Sequence, residues 1–541
     1  MRSENFTAYS PQVQKAFEET LAWLREWGCS RNFGLGTLLP WDEQFVIESL
    51  SDSTIYMSYY TIAHLLQGGV VDGSTVGPLG IKPEQLTDAV FDYVFLGKDY
   101  PKDSGIAEEA LQQMRREFNY WYPMDLRCSG KDLIFNHLTF ALYNHGAIWE
   151  REEMLPRSMF CNGYILVNGE KMSKQLGNFF MLSEIVAKYS ADAARAGLAD
   201  AGDTIDDANY DENVSNAMIS KLFVLEGWMK EEMEKARGID GAEYGVGWDL
   251  FDRIFDNEMN RLSQETHAEF EAMRFKLGLR NGFFDMMSAR DEYIVAKKGN
   301  TNPHLMARYV YVQLLTLSPI CPHFCEHMWQ SFREYYATVK NTGEVLSESI
   351  VRARWPEPTK PVDKVLTSLN VYLKACKKSF RDSLNKQMAG KKAKKGKQQK
   401  QQPEEEAKKL TACTVVVKKE YPELQQSVLK VLSEFEFDEK NVVQGDFGAA
   451  VRAAVDEKER KNAMKFAAWI VGEVKKEGKK ALESTMPFDE VQMLRENSEF
   501  VFQDLGIESV KVVEVGDEEA ADVPATAKDG ANPGRPVPFF S

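Results

Sequence analysis

Apolar and polar positions alternate along the chain with periods that predict structurally different parts. Apolar residues recur with the spacing of an amphipathic helix over residues 12–27 and again over 45–66. Within the second segment the string Ser51–Ser53 interrupts the pattern, and we expect it to cap the helix that follows. Glycine and proline are frequent over residues 28–41 and 68–83, which we therefore predict to be loops.

Strand-type and helix-type segments alternate between residues 120 and 200. In chain order, the pattern predicts a strand over 125–129 ended by Gly130, a helix over 133–149, a strand over 164–167 closed by an Asn168-Gly169 turn, and helices from Ser183 and from Ser190. This alternation is typical of part of a parallel α/β sheet.

The remainder of the chain changes character twice. Residues 210–335 consist almost entirely of amphipathic helix, which predicts a helical bundle. Residues 386–400 hold seven lysines and no acidic residue, and we predict a solvated linker there. Beyond it, a small α+β domain is predicted from a strand over 411–417, a helix over 423–434, a longer helix over 457–475 and a strand over 509–515. The acidic, small-residue-rich stretch after Gly516 is predicted to be mobile.

Composition supports several globular domains in a reduced compartment. The 541 residues are too many for one core, and 43% of them are hydrophobic. The net charge of -16 argues against nucleic-acid binding through bulk charge, although a local basic groove stays compatible with an RNA partner. Seven cysteines without paired spacing indicate an intracellular protein. No apolar run approaches the roughly 18–20 residues of a membrane span, and no signal peptide or presequence pattern is present, so we predict a cytoplasmic location without membrane contact.

The string Lys171-Met172-Ser173-Lys174, followed by Gly177-Asn178, carries the strongest chemical signal. Two lysines three positions apart on a glycine-flanked loop can both reach one polyphosphate. When a carboxylate attacks the α-phosphate of ATP, charge builds on the departing pyrophosphate, and mobile ammonium groups that engage it in the transition state lower the barrier. A bare Lys-x-x-Lys is usually ordinary surface charge, but its strand–turn–loop–helix setting favours the catalytic interpretation.

This string resembles the second signature loop of the class I aminoacyl-tRNA synthetases, which usually continues with a small hydroxyl residue. The sequence departs from that pattern at Gln175 and Leu176 but keeps both lysines. The resemblance implies that Lys171 and Lys174 are catalytic, and that Met172 and Ser173 contribute to ATP binding.

Two further strings are similar to segments of the same class. Trp27-Gly28-Cys29-Ser30-Arg31, followed by Gly34 and Pro40-Trp41, looks like the point where the chain re-enters the catalytic domain after an inserted editing domain. Ser129-Gly130-Lys131-Asp132 with Asn136-His137 is similar to the strand end of the nucleotide pocket. The resemblance implies ATP contacts from Gly130, Lys131, Asp132 and His137. Alternatively, Asp132 caps the next helix and His137 is a packed core histidine; Cys128 and Phe135 stand where Val and Pro are expected.

The flanking sequences resemble the eukaryotic and archaeal leucyl enzymes over nearly the whole chain. The strings that carry this resemblance are residues 47–57, Leu142-Tyr143-Asn144-His145 and Ala199-Asp200-Ala201-Gly202-Asp203. Leucine is thus implied by the family, with another class I synthetase, such as the methionyl enzyme, as an alternative. Tyr56 and His64 are candidates for the amino-acid pocket, although helix packing explains either residue equally well.

The resemblance also assigns the predicted parts. The fold class is α/β plus all-α plus α+β, comprising a partial Rossmann-like catalytic half, a helical-bundle anticodon-binding domain and a small tRNA-contacting domain. The predicted boundaries are 1–205 for the catalytic half, 206–360 for the bundle, 361–410 for the linker, 411–516 for the C-terminal α+β domain and 517–541 for the mobile tail.

Two features invite other functions. Cys321, His323, Cys325 and His327 suggest zinc, but alternate residues of a helix point about 200° apart and cannot converge on one tetrahedral ion, so we predict no metal site. A helix is expected to begin at Pro322 instead. The lysine run at 386–400 either contacts tRNA phosphates or is simply solvated.

The resemblance implies an ATP-dependent leucine–tRNA ligase, with Mg²⁺ accompanying ATP and with leucine, ATP and tRNA(Leu) as partners. The His-x-Gly-His loop and the editing segment of the family are absent from this sequence. We therefore expect no ATP–pyrophosphate exchange from the isolated chain, and count a missing N-terminal half or a multi-synthetase complex among the expected partners. A split enzyme and a non-catalytic tRNA-binding scaffold are the alternatives; retention of both lysines weighs against the scaffold.

Overall fold

The computed structural model describes residues 6–34, 36–70, 72–173, 175, 177–235, 245–339, 346–395, 410–438 and 441–541. The chain forms two compact units. The first comprises Met1–Gly241, Leu262–Met287 and Met306–Pro356, and the second comprises Ala242–Arg261, Ser288–Leu305 and Glu357–Ser541. Within the described ranges, no helix combines the length and the apolar character needed to span a bilayer.

Residues 6–235 build three small sheets surrounded by helices. The elements are α1 Pro11–Trp23, β1 Ser30–Arg31, β2 Leu38–Leu39, β3 Asp42–Ile47, α2 Ser49–Asp52, α3 Tyr56–Leu66, α4 Asp88–Leu96, α5 Glu108–Trp121, β4 Arg127–Gly130, α6 Thr139–Ile148, β5 Met159–Asn162, β6 Ile165–Val167, β7 Glu170–Lys171, α7 Leu182–Tyr189, α8 Ala191–Ala201, β8 Ala208–Tyr210 and α9 Glu212–Lys235. The strand orders are β1-β3-β2, β4-β5 and β7-β6-β8, with β4 parallel to β5 and β6 parallel to β8.

The α/β pattern predicted between residues 120 and 200 is confirmed. Strands β4 and β6, the turn at Asn168-Gly169 and helices α7 and α8 all lie where the sequence places them. The predicted helix over 133–149 is also present, although it begins with a π-helical turn at Ile134–Leu138 before α6. Parallel pairing of β4 with β5 and of β6 with β8 confirms the α/β assignment of this part.

The prediction for residues 28–66 is partly wrong. The start of the predicted helix over 45–66 is wrong, because residues 45–47 belong to strand β3, which pairs antiparallel with β1 and β2 inside the predicted loop. The N-cap residue of helix α3 is Ile55, so the string Ser51–Ser53 is not its N-cap. Pairing with neighbouring strands outweighs the weak helical period of these residues, because periodicity alone does not show which strands pair.

Residues 245–339 are helical, as predicted for the bundle. The helices are α10 Leu250–Glu271, α11 Phe275–Leu279, α12 Met286–Ala296, α13 Pro303–Leu317 and α14 Pro322–Val339. Helix α14 begins at Pro322, as expected for a proline in a first turn. The Asp192 carboxylate of α8 accepts the Phe324 amide at 2.6 Å and thereby satisfies an orphan donor at the start of α14.

The C-terminal elements of the second unit surround a three-stranded sheet. They are α15 Lys364–Lys395, β9 Ala412–Val417, α16 Glu423–Ser433, α17 Phe447–Ala454, α18 Arg460–Glu477, α19 Glu490–Glu496, α20 Ser498–Val501, β10 Ser509–Glu514, α21 Ala525–Gly530 and β11 Val537–Phe540. The central strand β9 pairs parallel with β10 and antiparallel with β11. Val415 and Val417 face one apolar cluster while Val416 faces another, so β9 is buried on both sides. The α+β prediction is confirmed.

Two predictions about this region are wrong. The stretch expected to be a linker carries α15, which runs as far as Lys395 and packs Leu369, Leu373 and Phe380 into the core; residues 396–409 lie outside the described part. The stretch after Gly516, expected to be mobile, adds β11 to the sheet. Small side chains there, such as Ala527, are buried against the sheet rather than solvated, because they allow close backbone approach.

Glu490 is a buried carboxyl that ties the C-terminal segment to α19. It is 2% exposed, and its Oε1 and Oε2 atoms accept the Gly534 amide at 3.0 and 3.1 Å. Burial raises the pKa of Glu490 from 4.5 to about 6, against the lowering effect of the Gly534 hydrogen bond. The charged form of Glu490 is therefore disfavoured in the folded state.

A pH dependence of stability follows from this raised pKa. Between about pH 4.5 and pH 6 the folded state binds more protons than the unfolded state, so the free energy of unfolding is expected to fall as pH rises, by about 2 kcal/mol from this group. Urea denaturation at several pH values should show that Glu490→Gln removes this decline relative to wild type. The exposed Glu496→Gln on the same helix serves as control and should retain it; equal profiles for both variants would contradict the assignment.

Candidate functional site

The signature loop lies on a hairpin edge of the β7-β6-β8 sheet. Asn168 and Gly169 adopt positive φ values of 51° and 85°, which form the tight turn between β6 and β7. Lys171 is the last residue of β7, and its side chain is exposed, whereas Met172 and Ser173 are half-buried. Lys174, the second predicted catalytic lysine, lies outside the described residues.

Asn178 closes the loop from its far end. Its side-chain amide donates to the Lys171 carbonyl at 3.1 Å, and its Oδ1 accepts the Ser173 amide at 2.8 Å. The Ser173 hydroxyl in turn accepts the Gln175 amide at 3.2 Å. These contacts hold the described backbone of the loop while the Lys171 side chain stays exposed, which suits a group that must meet a ligand.

The second predicted string ends strand β4. Gly130 precedes a single 3₁₀ turn at Lys131–Leu133, and the Asp132 side chain is exposed and does not cap the following helix. A Cβ atom on Gly130 would come within 2.6 Å of the Asp132 Oδ1, so glycine allows that carboxylate to keep its position. The capping alternative for Asp132 is wrong.

Tyr164 brings the two strings together. The Lys131 Nζ lies 5.2 Å from the centroid of the Tyr164 ring, and the Lys171 Nζ lies 5.4 Å from the same centroid. Both are within the range of a cation–π contact. The ring is 43% exposed. Two ammonium groups from separate segments thus converge on one accessible surface, the geometry that an anionic ligand with several negative charges requires.

His137 is placed differently from the lysine pair. The residue is 3% exposed, and its Nδ1 has no hydrogen-bond partner among the residues that the structure describes. Burial, followed by the nearby charge of Arg127, lowers the pKa of His137, while the Ser53 carbonyl acts in the opposite direction. His137 is thus a neutral, largely packed histidine with one unsatisfied ring nitrogen. Both alternatives from the sequence, a packed core histidine and a ligand contact, are compatible with this position.

The two candidates for an amino-acid pocket separate in the structure. The Tyr56 hydroxyl accepts Arg127 Nη2 at 3.3 Å, and the Arg127 guanidinium also lies 5.5 Å from the Tyr56 ring centroid. The charge of Arg127 also lowers the pKa of His137, so Tyr56 and His137 share Arg127 as a neighbour. His64 is exposed and lines a surface cavity of about 650 Å³ together with Tyr60 and side chains of α5.

Several residues of the site escaped the sequence analysis. Tyr164 stood only as the first residue of a predicted strand, and neither Asp207 nor Arg127 belonged to a recognised string. Asp207 accepts Lys131 Nζ at 2.7 Å, and Arg127 keeps a buried Nε without a hydrogen-bond partner. An arginine in a strand that ends in Gly130 was a usable signal. No pattern linked Asp207 to Lys131, because 76 residues separate them.

The cysteine and histidine side chains at the start of α14, from Cys321 to His327, point in different directions. Cys321 and Cys325 are fully buried, with the Cys321 Sγ 3.6 Å from the Asp192 carbonyl. His323 and His327 point outward to carboxylates: the His323 Nδ1 lies 2.9 Å from Asp192 Oδ1, and the His327 Nε2 lies 3.1 Å from Glu226 Oε1. The two cysteines are therefore buried, whereas the two histidines contact carboxylates of two different helices.

Two segments of the chain match known protein families. Residues 111–216 match the family described as "tRNA synthetases class I (C) catalytic domain". Residues 252–409 match "Anticodon-binding domain of tRNA ligase". The first segment contains the Gly130 strand end and the signature loop, and the second contains most of the helical run. Together they define a class I aminoacyl-tRNA synthetase.

Curated relatives narrow the class. The protein "Leucine--tRNA ligase, cytoplasmic" of Pongo abelii is 39% identical over 542 residues, which is 99% of this chain and 44% of that protein. The protein of the same name from Saccharomyces cerevisiae is 40% identical over 467 residues, covering 86% of this chain and 40% of that protein. "Leucine--tRNA ligase" of Aeropyrum pernix is 38% identical over 358 residues, covering 64% and 34%.

The chain belongs to the leucine–tRNA ligase family, which confirms the resemblance seen in the sequence. It spans less than half the length of these relatives. The methionyl alternative is not favoured by these relatives.

Proposed function

We propose that this chain supplies the polyphosphate-engaging and tRNA-binding part of an ATP-dependent leucine–tRNA ligase. The observation that carries the proposal is the convergence of Lys131 and Lys171 on the Tyr164 ring, at 5.2 and 5.4 Å, within a segment that matches a class I catalytic domain. The relatives' names supply the amino acid.

The proposed reaction begins with leucine activation. The leucine carboxylate oxygen forms a bond to the α-phosphorus of ATP, the bond from that phosphorus to the bridging oxygen breaks, and pyrophosphate leaves with the electron pair. Leucyl-adenylate then passes its acyl group to a terminal hydroxyl of the tRNA(Leu), and AMP leaves. Lys171 and Lys174 neutralise charge that grows on pyrophosphate, so they stabilise the transition state more than the bound ATP.

The nucleotide contacts are proposed on Gly130, Lys131, Asp132 and His137 together with Met172 and Ser173. The exposed Asp132 carboxylate is suited to accept ribose hydroxyls or to hold the Mg²⁺ that accompanies ATP, since oxygen ligands suit that ion. The unsatisfied His137 Nδ1 supports a ligand contact from the packed side of the site. Close backbone approach at Gly130 is compatible with a bound nucleotide.

Leucine and tRNA have proposed places of their own. Tyr56, hydrogen-bonded to Arg127, is the better of the two candidates for the amino-acid pocket, because the charge of Arg127 also acts on His137. His64 lines an open cavity instead. The tRNA body is proposed to contact the helical run and the C-terminal α+β domain, by shape rather than by base sequence. The match of residues 252–409 to an anticodon-binding domain supports this.

Pyrophosphate binding tests the proposed polyphosphate site on the chain itself. We expect inorganic pyrophosphate to bind the isolated chain in calorimetric titration. Lys171→Ala is expected to weaken that binding about ten- to hundredfold, because one charge-assisted hydrogen bond contributes about 1.5–3 kcal/mol. The exposed Lys102→Ala serves as control, since it removes the same charge elsewhere. Equal weakening by both variants would show that pyrophosphate binds only through general charge attraction. No pyrophosphate binding at all would refute the proposed polyphosphate site.

A further inference from the structure

Asp207 is a carboxylate that faces the lysine pair. Its Oδ1 lies 2.7 Å from the Lys131 Nζ, which also donates to the Ile205 carbonyl at 3.2 Å. The Lys131 hydrogen bond, followed by that of the Tyr164 amide, holds the pKa of Asp207 below its usual value, and the charge of Lys171 acts in the same direction. Asp207 thus interacts with both ammonium groups of the proposed polyphosphate site.

The Asp207 carboxylate is held by a backbone amide as well as by its lysine partner. The Tyr164 amide donates to the same Asp207 Oδ1 at 3.0 Å. The backbone beneath this contact is tightly packed, because a Cβ on Gly163 would come within 2.2 Å of the Asp206 carbonyl oxygen. If Lys131 moves, Asp207 therefore keeps its position and one hydrogen-bond donor.

The Lys131–Asp207 ion pair is weak enough for a ligand to displace one of its partners. The Lys131 and Asp207 side chains are 30% and 38% exposed, so both are screened by water. Ion pairs this exposed add little to stability, because water and salt screen the two charges. A phosphate group with more than one negative charge, placed between Lys131 and Lys171, offers a stronger partner than a single carboxylate.

We propose that Asp207 competes with phosphate for the Lys131 ammonium group in the polyphosphate site. Without ligand, Asp207 pairs with Lys131 beside Lys171. An incoming phosphate displaces Asp207 from Lys131, and the ion pair forms again when pyrophosphate leaves. The inference rests on the proposed function, because it names a residue that competes with the same ligand. Asp207 acts through Lys131 and is a positioning residue, not a catalytic one. Its expected effect is to limit the affinity for pyrophosphate and so to favour product release.

Calorimetric titration of the chain with inorganic pyrophosphate at fixed ionic strength tests this competition. Asp207→Asn keeps an oxygen for the Tyr164 amide but removes the competing charge, so it is expected to tighten pyrophosphate binding about two- to fivefold, which is the worth of an exposed ion pair. A merely structural role for Asp207 predicts the opposite sign. In a Lys131→Met background the gain from Asp207→Asn is expected to vanish, since the lysine through which it acts is gone.

Glu170→Gln is the matched control. Glu170 is exposed, adjoins Lys171 in sequence, and has no ion pair within the part of the chain that the structure describes. It is expected to change affinity less than Asp207→Asn and to do so equally with or without Lys131. Weaker or unchanged pyrophosphate binding by Asp207→Asn would overturn the inference about Asp207 but not the proposed function. A gain in affinity no larger than that of Glu170→Gln would do the same. Absence of pyrophosphate binding by wild type and all variants instead overturns the proposed function on which it rests.

Discussion

Replacing Lys171 with alanine is expected to slow leucine-dependent ATP–pyrophosphate exchange by about 10²–10³ in a complete ligase that contains this chain. The magnitude is that of removing one donor aimed at charge that develops in the transition state. Leucine binding is expected to change little, because the exposed Lys171 ammonium contacts Tyr164, whereas the proposed amino-acid pocket is at the Tyr56–Arg127 pair. We expect Lys174→Ala to behave alike, since the sequence places both lysines on the same loop.

Steady-state exchange kinetics combined with equilibrium leucine binding measure this difference. A transition-state role predicts a fall in kcat with nearly unchanged leucine affinity. Lys102→Ala again supplies the control for loss of one positive charge. Comparable losses in exchange rate and in leucine affinity would show that the lysine supports ground-state binding or folding instead.

Trp329→Ala is expected to cause the largest loss of stability, about 3–5 kcal/mol in the free energy of unfolding. Trp329 is fully buried on α14, and its Nε1 donates to the Ser347 carbonyl at 3.0 Å. Its ring lies 5.9 Å from that of Tyr311 and 6.1 Å from that of Phe332. Truncation therefore leaves a cavity and removes the donor from the part-buried Ser347 carbonyl.

Urea denaturation followed by circular dichroism measures the effect, and Phe223→Ala provides a matched aromatic truncation. Phe223 is 76% exposed on α9, so its removal should change the free energy of unfolding by less than about 0.5 kcal/mol. If Trp329→Ala also stayed below that level, the buried aromatic cluster of α14 would not contribute to the stability of its unit.

Predictions from the sequence held where local chemistry specifies local structure. The Asn168-Gly169 pair requires positive φ values, and it forms the turn that presents Lys171. The start of the helix predicted over 45–66 failed because residues 45–47 belong to β3, which is paired with a strand on either side of it. The predictions of a linker and of a mobile stretch after Gly516 failed for a related reason. Composition favours solvent exposure there, but apolar residues such as Phe380 and Val523 are buried in the core.

The sequence by itself determined the family, the strand–turn–loop that carries Lys171, and the strand that ends at Gly130. These are contiguous strings, and their local spacing holds the information. Only the tertiary structure decided that Tyr164 lies beneath both Lys131 and Lys171, and that Asp207 pairs with Lys131. Such contacts depend on how β4, β6 and β8 are arranged in space, which the periodicity of one sequence does not encode.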